Sequence, residues 1–501
     1  MSTTATTESR ALRIETHGVD VIDEDQRKGR PRSLFWPWCS ANMGVLFVSW
    51  GAYILDFGLS LTQALVITVV GVVASFALVG WAALAGQKGS APTLVLSRAA
   101  FGTHGNIVPG IVSYLLLIGW EIFGASMAVF AAGSVAEHLA PGTEQTAQVV
   151  ALVVVTGTVV TLGILGFEAI MKVQKWFSIA TLVMTAGYIL LTLHHIDLAT
   201  AGARPAGPPS AVIGAAVMIL AGFGVGWTNC AADYSRYLPR TASRAGIAGW
   251  TTFGGSLPVI ILVVYGTFLC ASNSELIPAV ADNPIGPLLN LLPNWFLIPF
   301  GLVAVAGMVS GVIIDIYSSG LTLVALGVPI KRWSGCAIDG VIMVLGTIGV
   351  VWLAPDFLTP FMGFLITLGV PLAAWSGVFL ADLVLRRRRY DEVKLFDPGV
   401  AGGYGRVRPV PLLIMVVSSI IGFGLVTNQN ASWLSWQGYL LDLGLGGREG
   451  PWQYANIGIL VSLVLSFVAY LLLCRGTVRR QEATPAPELP KAELIRPGLV
   501  D

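Results

Sequence analysis

Two carboxyl side chains, Glu121 and Asp315, lie within long apolar stretches, where an ionisable group is costly and therefore points to function. Glu121 follows Trp120 directly, so an indole adjoins a carboxyl. A flat heterocycle stacked on Trp120 would offer ring N–H or exocyclic amino groups for Glu121 to accept, and that carboxyl is also suited to carrying a coupled proton. Asp315 sits in a polar island running from Gly311 to Gly320. No intramembrane Lys or Arg is available to neutralise it, so a substrate, a cation, a proton or a hydroxyl such as Tyr317 must serve. Ala306 and Ser310 lie one turn apart on the same stretch, and a backbone carbonyl with a hydroxyl suits a small monovalent cation. Asp233 and Arg236, three residues apart, can face each other as an ion pair acting as a gate or a structural clamp.

The elements that must position these groups follow from composition. Of 501 residues, 55% are hydrophobic and 11% charged, against about 25% charged in soluble domains. Apolar runs long enough to cross roughly 30 Å of hydrocarbon recur along the chain. Twelve are expected, at 34–55, 61–85, 108–137, 147–166, 176–193, 211–231, 246–271, 295–326, 336–354, 358–385, 410–428 and 455–474. The expected fold class is an all-α integral membrane protein. Residues 1–32 form a polar tail with no apolar run of the kind a secretory signal requires. Residues 33–385 form the core, 386–409 a basic loop, 410–474 two additional helices and 475–501 a second tail, expected to be mobile.

Glycine clusters inside a span mean close packing or a deliberate break. The first helix carries Pro37 and the stretch from Ser40 to Gly44, and the sixth carries Gly222-Phe223-Gly224-Val225-Gly226. Their separation by five helices is what an inverted repeat of helices 1–5 and 6–10 would produce, with discontinuous first members meeting at the midplane.

Positive residues accumulate in cytoplasmic loops. With the N-terminus inside, 27 of the 29 Lys and Arg residues fall inside, all but Arg204 and Arg448. Both termini are therefore expected in the cytoplasm, and the run Arg386 to Arg389 reads as a topology anchor. The net charge of +1 gives no basic stripe for nucleic acid. The five cysteines, Cys39, Cys230, Cys270, Cys336 and Cys474, are widely spaced and read as packing residues. No P-loop, HExxH or GxSxG pattern occurs, which removes support for ATP-driven transport within this chain and for membrane hydrolysis. His194-His195 is the one faint motif for an enzyme.

Several well-separated segments together resemble the nucleobase:cation symporter-1 family of purine-cytosine permease type. They are Trp38-Cys39-Ser40-Ala41-Asn42-Met43, Ser97-Arg98-Ala99-Ala100-Phe101-Gly102, Gly119-Trp120-Glu121 and the run from Ala231 to Tyr237. The tenth helix adds Asp356-Phe357-Leu358, leading through Gly369 and Pro371 to Trp375 and Asp382. The resemblance implies a five-plus-five inverted repeat with discontinuous helices 1 and 6, two extra helices and alternating access. It also implies uptake of a nucleobase, hydantoin, allantoin or related compound with Na⁺ or H⁺. The family's stacking aromatic of helix three falls at Trp120. Its helix-six aromatic falls at Gly224, with Phe223 beside it and Trp227 a turn later. A substrate-bonding Asn of helix eight falls at Asp315, which favours a ligand rich in N–H donors. The family's sodium site uses helix-one carbonyls, here near Ala41, and two adjacent helix-eight hydroxyls, here Val309 and Ser310, so one hydroxyl is missing.

The expected function is secondary active symport of a nucleobase or related nitrogen heterocycle, not an enzymatic reaction. Trp120, Glu121, Asp315, Phe223, Gly224, Trp227 and Asn42 are expected around the substrate, and Ala41, Ala306 and Ser310 around the cation. No cofactor is expected, nor any metal beyond Na⁺. The partners are the substrate, Na⁺ or H⁺, and the inner-membrane bilayer, with the protein acting as a monomer. The alternative is a cation-coupled carrier for an amino acid or quaternary amine on the same fold, holding a carboxylate on helix dipoles.

Overall fold

The computed structural model describes residues 15, 18–44, 46–282, 284–354, 358–400, 402–428 and 432–484. Among them the secondary structure is helical, as lipid demands of a chain that must satisfy its backbone within each span. Among the described residues, nine helices are long and apolar enough to cross a membrane. These are Leu61–Gly89, Ile107–Leu139, Glu144–Leu165, Phe167–His195, Pro209–Ser235, Arg244–Ser272, Asn294–Ala325, Arg332–Leu353 and Phe361–Leu385. They coincide with the second to tenth expected segments. The first is the bent pair Pro31–Ala41 and Leu46–Asp56, whose halves meet at 70°. The eleventh and twelfth contain the shorter helices Pro409–Phe423 and Gly458–Leu473, the latter turning by 56° into Arg475–Ala483. Val70, Val153, Leu190, Leu302 and Leu345 are all more than three-fifths exposed, forming the apolar coat that lipid would cover.

The two glycine clusters produce different irregularities. In the first span the helix stops at Asn42, whose Nδ2 donates to the Trp38 carbonyl at 2.8 Å. The sixth span is distorted but unbroken. It widens to a π-turn at Ala221–Val225, tightens to a 3₁₀ turn at Thr228–Cys230 and resumes as Ala231–Ser235. The expected discontinuity of this helix is thus a change of helical pitch, the form often found at functional sites. The first and seventh spans approach so closely that a Cβ on Gly51 would lie 2.2 Å from the Gly266 backbone.

Several boundaries move because polar residues there are buried and partnered. The fifth span begins at Phe167, nine residues before the expected 176, and includes the buried Gln174, whose Nε2 donates to Ser310 O at 2.8 Å, with Lys172 and Lys175 on its exposed face. The ninth begins at Arg332 because its guanidinium donates to the carbonyls of Gly163 at 2.6 Å and Ile164 at 2.8 Å. Residues 18–27 of the first tail pack on the bundle, with Ile22 N–H donating to Ser90 O at 2.9 Å. The second tail, expected to be mobile, starts as a docked helix in which Val478 and Gln481 are buried. Residues 1–14 and 485–501, like Asp356 and Phe357 of the tenth-helix motif, lie outside the described residues.

The first residue of the basic run has a packing role. Arg386 is 2% exposed and grips Asp382 through two hydrogen bonds of 2.9 and 2.8 Å. Tyr470 of the twelfth span donates to the same Asp382 at 2.8 Å, and Arg386 reaches Gln481 at 3.0 Å. One buried network therefore ties the tenth span, the twelfth span and the terminal helix. Removing the arginine strands a buried carboxylate, a change worth about 3–5 kcal/mol. Arg386→Ala should lower the thermal unfolding midpoint in detergent strongly. Tyr470→Phe, which removes one hydrogen bond worth about 1 kcal/mol, should lower it much less.

Candidate functional site

A cavity of about 70 Å³ lies where the break of the first span meets the third, sixth and eighth spans. Its walls are aromatic. The third span supplies Trp120 and Phe123, the sixth Phe223 and Trp227, and the first Phe47 and Trp50. Trp120 stands edge-on to Phe123 and Phe361, each at 5.3 Å, and those two phenyl rings stack at 4.0 Å. The indole is therefore held by a packed backing on the third and tenth spans. Across from it, Phe223 lies 4.4 Å from Trp50, and Trp227 meets Trp38 edge-on at 5.7 Å. Gly226 leaves room between the two sides, since a Cβ there would lie 3.6 Å from Trp120 Nε1.

Two acceptors interrupt the apolar lining. Asp315 is 4% exposed, and its carboxyl faces the cavity with no hydrogen-bond or ion-pair partner among the described residues; Tyr317 is engaged elsewhere. Asn42, also in the lining, spends its Nδ2 on Trp38 and leaves Oδ1 buried without a donor. A buried acceptor without a donor costs about 1–3 kcal/mol. The cavity thus combines flat apolar walls with two acceptors needing N–H or O–H groups from a ligand.

Trp120, Phe223, Trp227, Asn42 and Asp315, expected around the substrate, line one cavity, together with Ala41, expected around the cation. Gly224 and Glu121 do not. Gly224 faces the second span, where its N–H donates to Ser75 Oγ at 2.6 Å and a Cβ would lie 1.9 Å from Ser75 O. Glu121 is one residue on from Trp120, about 100° around the helix, so its carboxyl turns away from the cavity towards Ser319 of the eighth span.

The expected cation group also differs in detail. Ser310 Oγ lies 2.5 Å from Ser40 Oγ and donates to Gln174 Oε1, while Gln174 Nε2 donates to Ser310 O at 2.8 Å. The Ser310 hydroxyl, expected to face a cation, is thus engaged by Ser40 and Gln174. Ala306 is half-buried and outside the cavity lining. Gln174, Phe123, Phe361, Phe47 and Trp50 were not anticipated. Gln174 precedes the expected start of its helix, and the aromatics look like ordinary core residues until the spans are assembled.

The expected pairing of Asp233 with Arg236 does not form. Asp233 caps the short helix Thr93–Phe101 through the N–H and hydroxyl of Thr93, both at 2.8 Å. Arg236 turns to the first tail, donating to Gly18 O at 2.8 Å and pairing with Glu15 at 3.7 Å. Glu15 also pairs with Arg332 at 3.7 Å and accepts from Phe167 N–H at 2.9 Å, Tyr317 OH at 3.2 Å and Tyr237 OH. Gly166, at φ +91°, allows this approach, because a Cβ there would lie 2.2 Å from Glu15 Oε2. One tail carboxylate thereby clasps the fifth, sixth, eighth and ninth spans. Glu15→Ala should loosen that end of the bundle, and maleimide labelling of the buried Cys336 should speed up about tenfold, the equivalent of about 1.4 kcal/mol. An unchanged labelling rate would show that the clasp does not hold this end closed.

Comparisons with known proteins bear on the family and the fold. Residues 21–441 match the family described as permeases for cytosine/purines, uracil, thiamine, allantoin. YxlA of Bacillus subtilis, whose name places it among purine-cytosine permeases, is 24% identical over 91% of this chain and 96% of its own length. The purine-cytosine permease FCY2 of Saccharomyces cerevisiae is 24% identical over 64% of this chain and 62% of its own. Among solved structures, the fold is similar to Mhp1, a nucleobase-cation-symport-1 family transporter in a closed conformation with bromovinylhydantoin bound. That similarity has a TM-score of 0.68 at 18% identity, over 93% of this chain and 98% of the other. A Na⁺-coupled sialic acid symporter shares the fold at a TM-score of 0.60 and 13% identity, over 96% of each chain. With the family match covering most of its length, the chain belongs to the permeases for cytosine/purines, uracil, thiamine, allantoin, a family of membrane transporters and not of enzymes.

Proposed function

We propose that the protein imports a nucleobase or closely related nitrogen heterocycle, of the cytosine, purine, pyrimidine-analogue or allantoin/hydantoin class, with a coupling cation by alternating access. The observation that carries this reading is the unpaired Asp315 carboxyl beside the unpartnered Asn42 Oδ1 in a cavity walled by Trp120, Phe223 and Trp227. Such rings present N–H groups in their plane and π-faces above and below, which matches acceptors at an edge and aromatics on the flanks. The names of the purine-cytosine permease relatives, and the hydantoin held by Mhp1, lend support. The engagement of Ser310 by Gln174 and Ser40 favours H⁺ over Na⁺ as the coupling ion. The protein would act as a monomer in the inner membrane with both termini cytoplasmic, a reading supported by the distribution of Lys and Arg.

Uptake into proteoliposomes tests this. Cytosine, adenine, hypoxanthine, uracil, allantoin and a quaternary amine should be compared under separate Na⁺ and H⁺ gradients. At least one ring compound should accumulate and compete with its near analogues, with accumulation stronger under the H⁺ gradient. Uptake unaffected by every ring compound would remove the proposal.

A further inference from the structure

Behind the cavity lies a second polar cluster that binding of the heterocycle does not use. Glu121 is fully buried, with Oε1 2.6 Å from Ser319 Oγ. The same Ser319 Oγ lies 2.8 Å from Oδ2 of Asp339, itself fully buried on the ninth span. Tyr114 OH donates to the other oxygen of Asp339 at 2.5 Å. Glu121 Oε2 is buried with no hydrogen-bond partner among the described residues. No Lys, Arg or His among the described residues lies within ion-pairing distance of either carboxyl.

Counting hydrogens shows that this cluster needs one proton more than its hydroxyls supply, and the unpartnered Glu121 Oε2 places it. Three short contacts link four groups, but the two hydroxyls supply only two hydrogens. A serine hydroxyl donates once, so it cannot satisfy Glu121 and Asp339 together. With one added hydrogen on Glu121 Oε1, the three short contacts are filled: Glu121 donates to Ser319, Ser319 donates to Asp339 in preference to the more distant Ile316 O at 3.2 Å, and Tyr114 donates to Asp339. Asp339 then carries the single negative charge with two donors. The unpartnered Glu121 Oε2 becomes the carbonyl oxygen of a neutral acid, far less costly to bury than half of a carboxylate. Without that hydrogen, two carboxylates would share one site with no countercharge, an arrangement that like charges oppose.

We propose that Glu121, Ser319 and Asp339 form a proton-binding site in which Glu121 holds the proton and Ser319 relays its hydrogen bond to Asp339. As the coupling site this rests on the transport reading above; as a proton site it does not. The placement suits coupling. Glu121 adjoins Trp120 on the third span, and Ser319 lies four residues, one turn, from Asp315 on the eighth. Movement of either span as a ring enters or leaves would alter the bridge and so the hold on the proton. The groups that face Glu121 are Ser319 and, further along the eighth span, Asp315; Asp339 and Cys336 on the ninth; and Tyr114 on its own helix. The fourth and tenth spans present no ionisable side chain to it among the described residues.

The test uses the full-length protein in liposomes. Near neutral pH, the infrared spectrum should contain a protonated-carboxyl C=O band that Glu121→Gln removes, with Asp315→Asn recorded separately to assign the contribution of that residue. Should Glu121→Gln fold poorly, Ser319→Ala serves instead, because loss of the acceptor should shift the same band. A spectrum unchanged by Glu121→Gln, or a band unmoved by Ser319→Ala, overturns the proposal. Because this readout needs no substrate, it stands or falls apart from the choice of heterocycle. Glu121→Gln should also abolish stimulation of heterocycle uptake by an imposed H⁺ gradient. Retention of wild-type stimulation would equally overturn the coupling role.

Discussion

Asp315→Asn should weaken binding of the transported heterocycle about ten- to a hundredfold, because it leaves a buried ring N–H without its acceptor, at about 1–3 kcal/mol, and each 1.4 kcal/mol is about tenfold. The substitution keeps the shape of the side chain and one acceptor oxygen but replaces the second with an NH₂ donor. Rings that present two N–H groups to this edge should lose most. Rings that present a carbonyl there should lose least. Asp315 is buried with no hydrogen-bond partner among the described residues to release, so the variant should insert and fold as the wild type does. Direct binding to purified protein across the ring panel reads the effect, and equal weakening of every ring would argue that Asp315 acts through the cavity's field and not through a hydrogen bond.

Trp120→Ala should be as damaging by a different route. Removing an aromatic on which a base stacks costs about 1–3 kcal/mol, and the loss here would also take one ring contact from each of Phe123 and Phe361, both 5.3 Å from the indole. Affinity should fall about ten- to a hundredfold for all ring compounds alike. Trp120→Phe should restore much of it. Preserved affinity in Trp120→Ala would move the stacking role to Phe223 or Trp227 on the sixth span.

The two carboxyls singled out from sequence show what such reading reaches. Glu121 and Asp315 stood out because an acid in an apolar run is expensive, and both are buried. Cost alone does not say which way a side chain points. Asp315 opens on the cavity with Trp120, whereas Glu121 turns to Ser319 and Asp339. Asp339 was overlooked because it lies near the start of its expected segment, where an acid ordinarily meets water. Its burial depends on the Tyr114 hydroxyl, from a helix more than two hundred residues earlier in the chain. Gln174, Arg332 and Glu15 share that history, since each looks like loop or tail until a distant backbone or hydroxyl group is seen to satisfy it. The glycines at 222, 224 and 226 correctly marked the irregular sixth helix. Whether the helix would break or change pitch depended on Ser75 of the second span receiving the Gly224 N–H.

The central claim, that a nitrogen heterocycle sits between the third- and sixth-span aromatics with its N–H edge on Asp315, is tested most directly by an experimental structure with the best-transported ring bound. The ring should lie in the cavity between Trp120 and Phe223 or Trp227, with a ring N–H or amino group within hydrogen-bonding distance of Asp315. A bound, transported ring lying elsewhere, with the Asp315 carboxyl still unpartnered, would contradict the account.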